Sequence, residues 1–311
     1  MRVTALAGGT GAAKLLCGLV AAAVDLTVVV NTADDAEIWG LHVSPDLDTI
    51  AYALAGRLDL ERGWGRADES FRCLESMAAL EEPTWFALGD RDLATHLVRT
   101  QALRAGRSLS DVTADIARRL GLRARLLPMS DDPVRTRIRT PGGWLSFQEY
   151  FVREKARVEV LDVVYEGAAD ARPAPDVLTA IADADTVIVC PSNPVTSIGP
   201  IVAVPAVAGA LAATRAVVIA VSPIVGGAAV TGPAGQLMAA RGLDVSPVGV
   251  ARAYAPWLDA LLVDGRDRDL QGALEMAGVR AVVADILMTD RASEAALARR
   301  VLDAVAAGRT G

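Results

Sequence analysis

Residues 3–16 read VTALAGGTGAAKLL, and this stretch decides the fold. Val3 to Ala7 is an apolar run of strand character. Leu15 to Val24 is a second apolar run, and Gly8-Gly9-Thr10-Gly11 lies between them. That order predicts strand, glycine turn, helix. Glycines let the backbone turn tightly and approach a ligand, because no Cβ stands in the way. The first N–H groups of the helix have no internal partners and sit at the positive end of its dipole. A phosphate suits that position. A tight turn with close strand–helix packing and no ligand carries the same signature. Two familiar loops do not match. A Walker A loop needs Gly-Lys-Ser/Thr, but Lys14 lies between Ala13 and Leu15. A Gly-x-Gly-x-x-Gly fingerprint needs a third glycine where Lys14 stands.

Working outward, the chain has 311 residues, 52% apolar and 4% aromatic, so the core is aliphatic. This length suits one large α/β domain or two small ones. The net charge of −7 argues against nonspecific binding to nucleic acid or an anionic membrane. Cys17, Cys73 and Cys190 form no Cys-x-x-Cys pair, so neither a disulfide framework nor a zinc site is expected. A reducing cytoplasm fits that usage. The apolar stretch from Ile201 to Val230 is interrupted by Pro205, Pro223 and Gly226-Gly227, and no transmembrane helix is expected.

Leu26–Val30 reads as a second strand of a parallel sheet, followed by Asn31-Thr32-Ala33-Asp34-Asp35. A helix is expected over Leu47 to Leu54, capped by Asp46 or its neighbour. Gly63 to Leu120 reads as helical, with Leu97, Leu103 and Val112 as core and Ser108-x-x-Asp111 as a capping box. Short strands at 126–129, 134–139 and 144–150, with a Pro141-Gly142-Gly143 turn, predict an inserted hairpin subdomain. A second α/β half follows, with strands at 158–164, 186–190, 216–221 and 260–263 and a last helix over 293–307. The expected fold is α/β: a doubly wound, mostly parallel, Rossmann-like sheet with an inserted helical and β-hairpin subdomain. Residues 1–311 form one domain, with the insertion at about 60–165.

Asp34, Asp35, Asp46 and Asp48 lie near the carboxyl end of the second strand, the edge where ligands bind in such sheets. Mg²⁺ accepts one or two carboxylates, with phosphate and water filling the rest, so Asp34 or Asp35 with Asp48 would serve. Asp46 reads as the cap, leaving Asp48 free to reach a ligand. Ser192-Asn193 follows the strand TVIVC and offers a hydroxyl, an amide and backbone N–H groups. His42 and His96 lack a nucleophile partner, and no Gly-x-Ser-x-Gly elbow exists. His96 reads as a packed or capping histidine rather than a catalyst. Asn31 stands where an NAD enzyme carries the acidic residue that grips the ribose, which disfavours that chemistry.

Seven stretches together resemble the 2-phospho-L-lactate transferase family, which builds the deazaflavin coenzyme F-420. They are GGTGAAKLL (8–16), VVVNTADDAEIWGLHVSPDLDT (28–49), GDRDLATH (89–96), PMSDDPV (128–134), FQEYFV (147–152), PSNPVTSIGPI (191–201) and SPIVGGAAVTGPAG (222–235). The resemblance implies transfer of a phospho-lactyl or phospho-enolpyruvyl group from a guanosine diphosphate conjugate to the precursor Fo. GMP is released and Mg²⁺ is the cofactor. It implies that Gly8, Gly9, Thr10 and Gly11 hold phosphates and that Ser192 and Asn193 contact the nucleotide. Lys14 and Asn31 complete the substrate-binding set. Asp48 is placed at the Fo and metal position, with Asp34 and Asp35 as further metal ligands and Asp35 as a second catalytic candidate. The insertion would form part of the acceptor site, and family members suggest a cytoplasmic homodimer. Ala87 replaces a basic residue common in archaeal-type members. Residues 84–101 look more like the bacterial branch, which implies enolpyruvyl transfer. The alternative is a non-enzymatic, nucleotide-sugar-binding metabolic regulator from a related family with the same GGTG start.

Overall fold

Val28, Val29 and Val30 alternate between the two faces of a buried sheet: Val28 and Val30 join one core, Val29 the other. The chain is a computed structural model that describes residues 1–308. It begins with β1 (Arg2–Ala7), α1 (Gly9–Ala21) and β2 (Asp25–Val30). A small hairpin follows, β3 (Ala36–Ile38) and β4 (Leu41–Val43), then α2 (Pro45–Leu54). Three more helices are α3 (Arg72–Ala79), α4 (Asp90–Arg104) and α5 (Leu109–Leu120), leading into β5 (Arg125–Pro128). Next come β6 (Arg135–Thr140), β7 (Gly143–Ser146) and β8 (Asp162–Glu166). The second half runs α6 (Val177–Ala182), β9 (Thr186–Val189), α7 (Gly199–Ala203), α8 (Val207–Ala213) and β10 (Val217–Val221). It continues through a two-residue pair, β11 (Ile224–Val225) and β12 (Ala228–Ala229), to α9 (Ala234–Ala240), α10 (Pro247–Tyr254) and β13 (Ala260–Val263). The chain ends with α11 (Gln271–Met276), β14 (Arg280–Val283) and α12 (Arg291–Gly308).

Seven strands form one parallel sheet in the order β14-β13-β10-β9-β1-β2-β5. From β1 the chain builds outward through β2 and β5; from β9 it builds the other way through β10, β13 and β14. The strand order therefore reverses between β1 and β9, and a crevice opens at that point beyond the carboxyl ends. Aliphatic, β-branched strands suit a sheet covered on both faces. Helices α1, α2 and α12 cover one face, where Leu15, Leu19, Ile50, Leu297 and Val301 are buried with Val28 and Val30. The other face buries Val187, Val189, Ile198, Ile201 and Leu237 with Val29.

The doubly wound sheet is as expected, but several local readings need correction. Residues 125–128 are not part of an inserted hairpin; β5 is the edge strand of the main sheet, paired with β2. The strand expected at 158–164 is β8, and it pairs antiparallel with β6 in a separate three-stranded sheet, β7-β6-β8. The insertion is thus two segments on either side of α5 and β5. The strand expected over 144–150 stops at Ser146, and the chain coils into a π-helical turn at Glu149–Arg153. Residues 63–71 are not helical. Leu97 is 53% exposed rather than core. The buried positions of α4 are instead Asp92, His96, Arg99 and Thr100, so this helix is turned with a polar face inward. Among the described residues no single helix is long and apolar enough to cross a membrane.

Candidate active site

The loops after β1 and β9 meet at the switch point, over a cleft of about 660 Å³. Gly8, Gly9, Thr10, Gly11, Lys14, Asp48, Ser192 and Asn193 all line it. Asn31, Asp34 and Asp35 do not; they are buried behind its wall.

The three glycines do different work. A Cβ on Gly8 would meet Asp46 Oδ2 at 2.6 Å and Ser197 Cβ at 2.8 Å. One on Gly11 would meet the Pro191 carbonyl oxygen at 2.5 Å, so that glycine exists for the close approach of the two loops. Gly9 has φ +74°, and a Cβ there meets nothing within 4 Å. Two of the loop's amides already have partners. Gly8 N–H donates to Ser192 Oγ (3.2 Å), and that hydroxyl donates back to Gly8 O (2.8 Å). Gly9 N–H donates to Asp46 Oδ1 (2.8 Å).

Asp46 is therefore not the cap of α2. The helix starts at Pro45, and the cap position belongs to Ser44, whose hydroxyl donates to Asp35 Oδ2 (2.8 Å). The Asp46 carboxylate instead reaches across to the start of α1. Behind it, Asn31 Nδ2 donates to Asp46 Oδ2 (2.9 Å), Asp34 Oδ2 (3.1 Å) and the Thr196 carbonyl (3.2 Å). Asn31 is thus a buried hub that ties two aspartates to the loop after β9, not a wall of the cleft. Burial, and then the nearby charge of Asp46, push the Asp34 carboxyl well above the usual range. Burial likewise pushes Asp46 up to about 6, against the hydrogen bonds from Asn31 and Gly9. Asp34 Oδ1 and Asp35 Oδ1 are buried with no hydrogen-bond partner. Among the described residues, no group of three or more His, Cys, Asp or Glu side chains is arranged to hold a metal ion.

Asp48 is not free, as the sequence reading had it. Its two oxygens face the guanidinium of Arg99, one at 3.0 Å from Nη1 and the other closer still to Nη2. Burial works against the Arg99 charge, but the Asp48 carboxylate outweighs it and holds the guanidinium pKa up. His96 sits in the same cluster, Nδ1 at 3.3 Å from Arg99 Nη1 and Nε2 at 3.3 Å from Asp92 Oδ1. Tyr52 donates its hydroxyl to Asp92 Oδ1 (2.7 Å) and lies 2.7 Å from Thr95 Oγ1. Against burial, His96 and then Tyr52 hold the Asp92 carboxyl below its usual value. Burial, and then the charges of Asp48 and Asp92, raise the Tyr52 hydroxyl far above its own. Arg99 was missed in the sequence, although the 92, 96, 99 spacing puts all three side chains on one helix face.

Ser192 spends its hydroxyl on Gly8, as above. Asn193 Oδ1 accepts from the N–H of Val195 (2.9 Å) and Thr196 (3.3 Å), capping a π-helical turn at Pro194–Ile198. Its Nδ2 makes no hydrogen bond among the described residues, which leaves that group for the cleft. Lys14 Nζ donates to the Met288 carbonyl (3.0 Å) at the rim. The insertion adds aromatic side chains to the lining: Trp64, Trp85, Phe86 and Phe151. Gln148, from the FQEY stretch, also lines the cleft and donates Nε2 to the Asp34 carbonyl (3.0 Å).

The family model described as "2-phospho-L-lactate transferase CofD" matches residues 3–302. A phosphoenolpyruvate transferase of Kitasatospora aureofaciens is 47% identical over 311 residues, covering 97% of each chain. A 2-phospho-L-lactate transferase of Methanosarcina acetivorans is 45% identical over 299 residues, covering 96% of this chain and 97% of the relative. Among solved structures, a UPF0052 family member from Bacillus halodurans aligns with TM-score 0.68 at 17% identity. It covers 96% of this chain and 98% of its own, and at that identity the likeness is one of fold. With its motifs in order along the whole chain and its two loops meeting over one cleft, the protein belongs to the 2-phospho-L-lactate transferase CofD family.

Proposed function

We propose that this transferase moves a phospho-enolpyruvyl or phospho-lactyl group from a guanosine diphosphate conjugate to Fo, releasing GMP. The observation that carries the reading is the cleft itself. It is lined by the glycine loop and the Ser192-Asn193 loop together with aromatic side chains of the insertion, which suit a flat heterocyclic acceptor. In the reaction, the primary hydroxyl of the acceptor attacks the phosphorus that carries the acid. A new P–O bond forms, the P–O bond to GMP breaks in line, and the hydroxyl proton passes to a carboxylate. Most of the work is positioning and charge neutralisation. Asp48 and Asp35 are the catalytic candidates of this reading. Asp48 lines the cleft with its orientation fixed by Arg99, and Asp35 lies behind it.

Mg²⁺ belongs to the same proposal. Asp34 and Asp35 each keep a buried oxygen without a partner, and the Asp34 carboxyl is crowded by Asp46. That donor set fits a hard cation, and these two residues would hold it. Held there, behind the wall of the cleft, the ion would add positive charge beside the site. Asp48 is the third candidate ligand of this reading; each of its oxygens accepts one hydrogen bond from Arg99 and keeps a further lone pair. A homodimer in the cytoplasm, acting on small molecules and not on nucleic acid or membrane, completes the reading.

The test is to incubate the protein with Fo, Mg²⁺ and each candidate guanosine conjugate, and to identify products by mass. A mass gain on Fo equal to the phospho-acid, with GMP formed in equal amount, is expected. Release of GDP, or no change in Fo with any conjugate, would overturn the proposal. Comparing the conjugates also decides which acid is carried, since relatives named for both are about equally similar.

A further inference from the structure

Only two permanently positive side chains line the cleft among the described residues, Lys14 and Arg62, against the carboxylates of Asp46, Asp48 and Asp92. A nucleoside diphosphate conjugate adds several negative charges to this space. The glycine loop cannot meet that demand alone, because Gly8 N–H and Gly9 N–H are committed to Ser192 and Asp46. Lys14 is at the rim. Arg62 stands on a loop built to hold it in place.

Leu58 and Arg66 bridge the base of that loop. Across it, Asp59 N–H donates to the Gly65 carbonyl (3.2 Å) and Gly63 N–H to the Asp59 carbonyl (2.9 Å). Asp59 Oδ1 accepts the N–H of Glu61 (3.0 Å) and of Arg62 (2.9 Å), fixing the turn. The tip lies against the glycine loop: a Cβ at Gly63 would fall 3.8 Å from Thr10 Cγ2. The guanidinium of Arg62 packs 5.4 Å from the Trp64 ring centre and 5.1 Å from that of Phe71. Its Nη2 pairs with Asp59 Oδ2 (2.8 Å) and donates to the Arg66 carbonyl (3.1 Å). Nε and Nη1 make no hydrogen bond among the described residues. A planar guanidinium held along one edge, with donors left over, is preorganised to grip a tetrahedral oxyanion.

We propose that Arg62 is a further catalytic residue, whose guanidinium binds the phosphate that carries the three-carbon acid while the 58–66 loop holds it over Thr10. The proposal rests on the transferase reading above. It also gives a role to Trp64, in the loop, and to Phe71, just before α3: their rings cover the guanidinium and keep it dry on that side.

The test measures binding of GDP and of guanosine by calorimetry, and turnover with the conjugate, for four proteins: unsubstituted, Arg62→Gln, Arg62→Lys and Asp59→Asn. Arg62→Gln is expected to lose about tenfold or more of the preference for GDP over guanosine. Its turnover should fall on the order of 10²–10³-fold, the usual loss for one charge-stabilising contact. Arg62→Lys should recover part of both, since it keeps the charge without the fork. Asp59→Asn frees Nη2, while its side-chain oxygen still accepts the two turn N–H groups, so it should keep the GDP preference that Arg62→Gln loses. A loop that Arg62 merely staples together gives a different pattern: Asp59→Asn as harmful as Arg62→Gln, and Lys no better than Gln. That pattern, or unchanged GDP preference and turnover in Arg62→Gln, overturns the proposal. Failure of the unsubstituted protein to bind any guanine nucleotide overturns the transferase reading, and this assignment with it.

Discussion

Asp48 on α2 and Arg99 on α4 form a buried, two-pronged ion pair at the edge of the cleft. A buried pair is not evidence of net stability, but removing one partner leaves an uncompensated buried charge. Asp48→Asn is therefore expected to lower unfolding free energy by about 3–5 kcal/mol as well as to reduce turnover. Replacing both residues, with Asp48→Leu and Arg99→Met, should recover most of that stability but not the activity. Denaturant melts and a transfer assay on the three proteins check this. An Asp48→Asn protein as stable as the parent would show that the pair is not the anchor it looks to be.

Gly9 and Gly11 should respond differently to the same substitution. At Gly11→Ala the new methyl is driven toward the Pro191 carbonyl, so the two loops must separate and stability falls. At Gly9→Ala the methyl enters open space, at the cost of about 1–2 kcal/mol for the left-handed backbone. That methyl projects into the cleft region, so guanine nucleotide affinity should fall more for Gly9→Ala than its stability loss explains. Paired melting curves and nucleotide titrations separate the two effects. Equal behaviour of the two variants would count against this division of labour.

Asp46 makes the stability of the ligand-free protein depend on pH. Its pKa is about 6 in the fold, against roughly 3.9 for an unfolded aspartate. Between those values the folded state binds the extra proton. This contribution is therefore fully present below about pH 4 and lost as pH rises through about 6. Asp46→Asn cannot ionise. Its stability relative to the parent should rise between about pH 4 and pH 7 and level off above. The new amide also faces the Asn31 Nδ2 donor, which adds an offset that does not change with pH. Thermal melts of both proteins across that range test this, and a difference that stays flat contradicts it.

Ser192 acts on the glycine loop through the two backbone groups of Gly8. Ser192→Ala removes both hydrogen bonds at once. At about 0.5–1.5 kcal/mol each, the loss should be about 1–3 kcal/mol. The nucleotide should then bind more weakly because the loop is looser, with the conjugate's KM rising more than kcat falls. A melt unchanged within about 0.3 kcal/mol would mean that the loop is held by other contacts.

Much of this molecule was legible from local sequence. The strand–glycine–helix order at residues 3–16 and the β-branched runs at 26–30, 186–190 and 217–221 specify a parallel sheet. Strand and helix periodicity are local properties, and the two loops at the switch point follow from them. The motif order along the chain was likewise enough to point to the family. What local sequence did not decide was partnership. The short apolar stretches at 126–129 and 158–164 both read as strands, but β5 pairs in the main sheet and β8 in a separate one, because pairing is a non-local choice. Leu97 and Val98 have apolar side chains and face solvent, whereas Asp92, His96 and Arg99 are inside, because α4 meets Asp48 and Tyr52 there rather than an apolar face. Asp46 and Asp48 are two residues apart in one helix. The tertiary structure alone sends the first to the Gly9 amide and the second to Arg99, since a carboxylate's role is set by the donors that reach it across the fold.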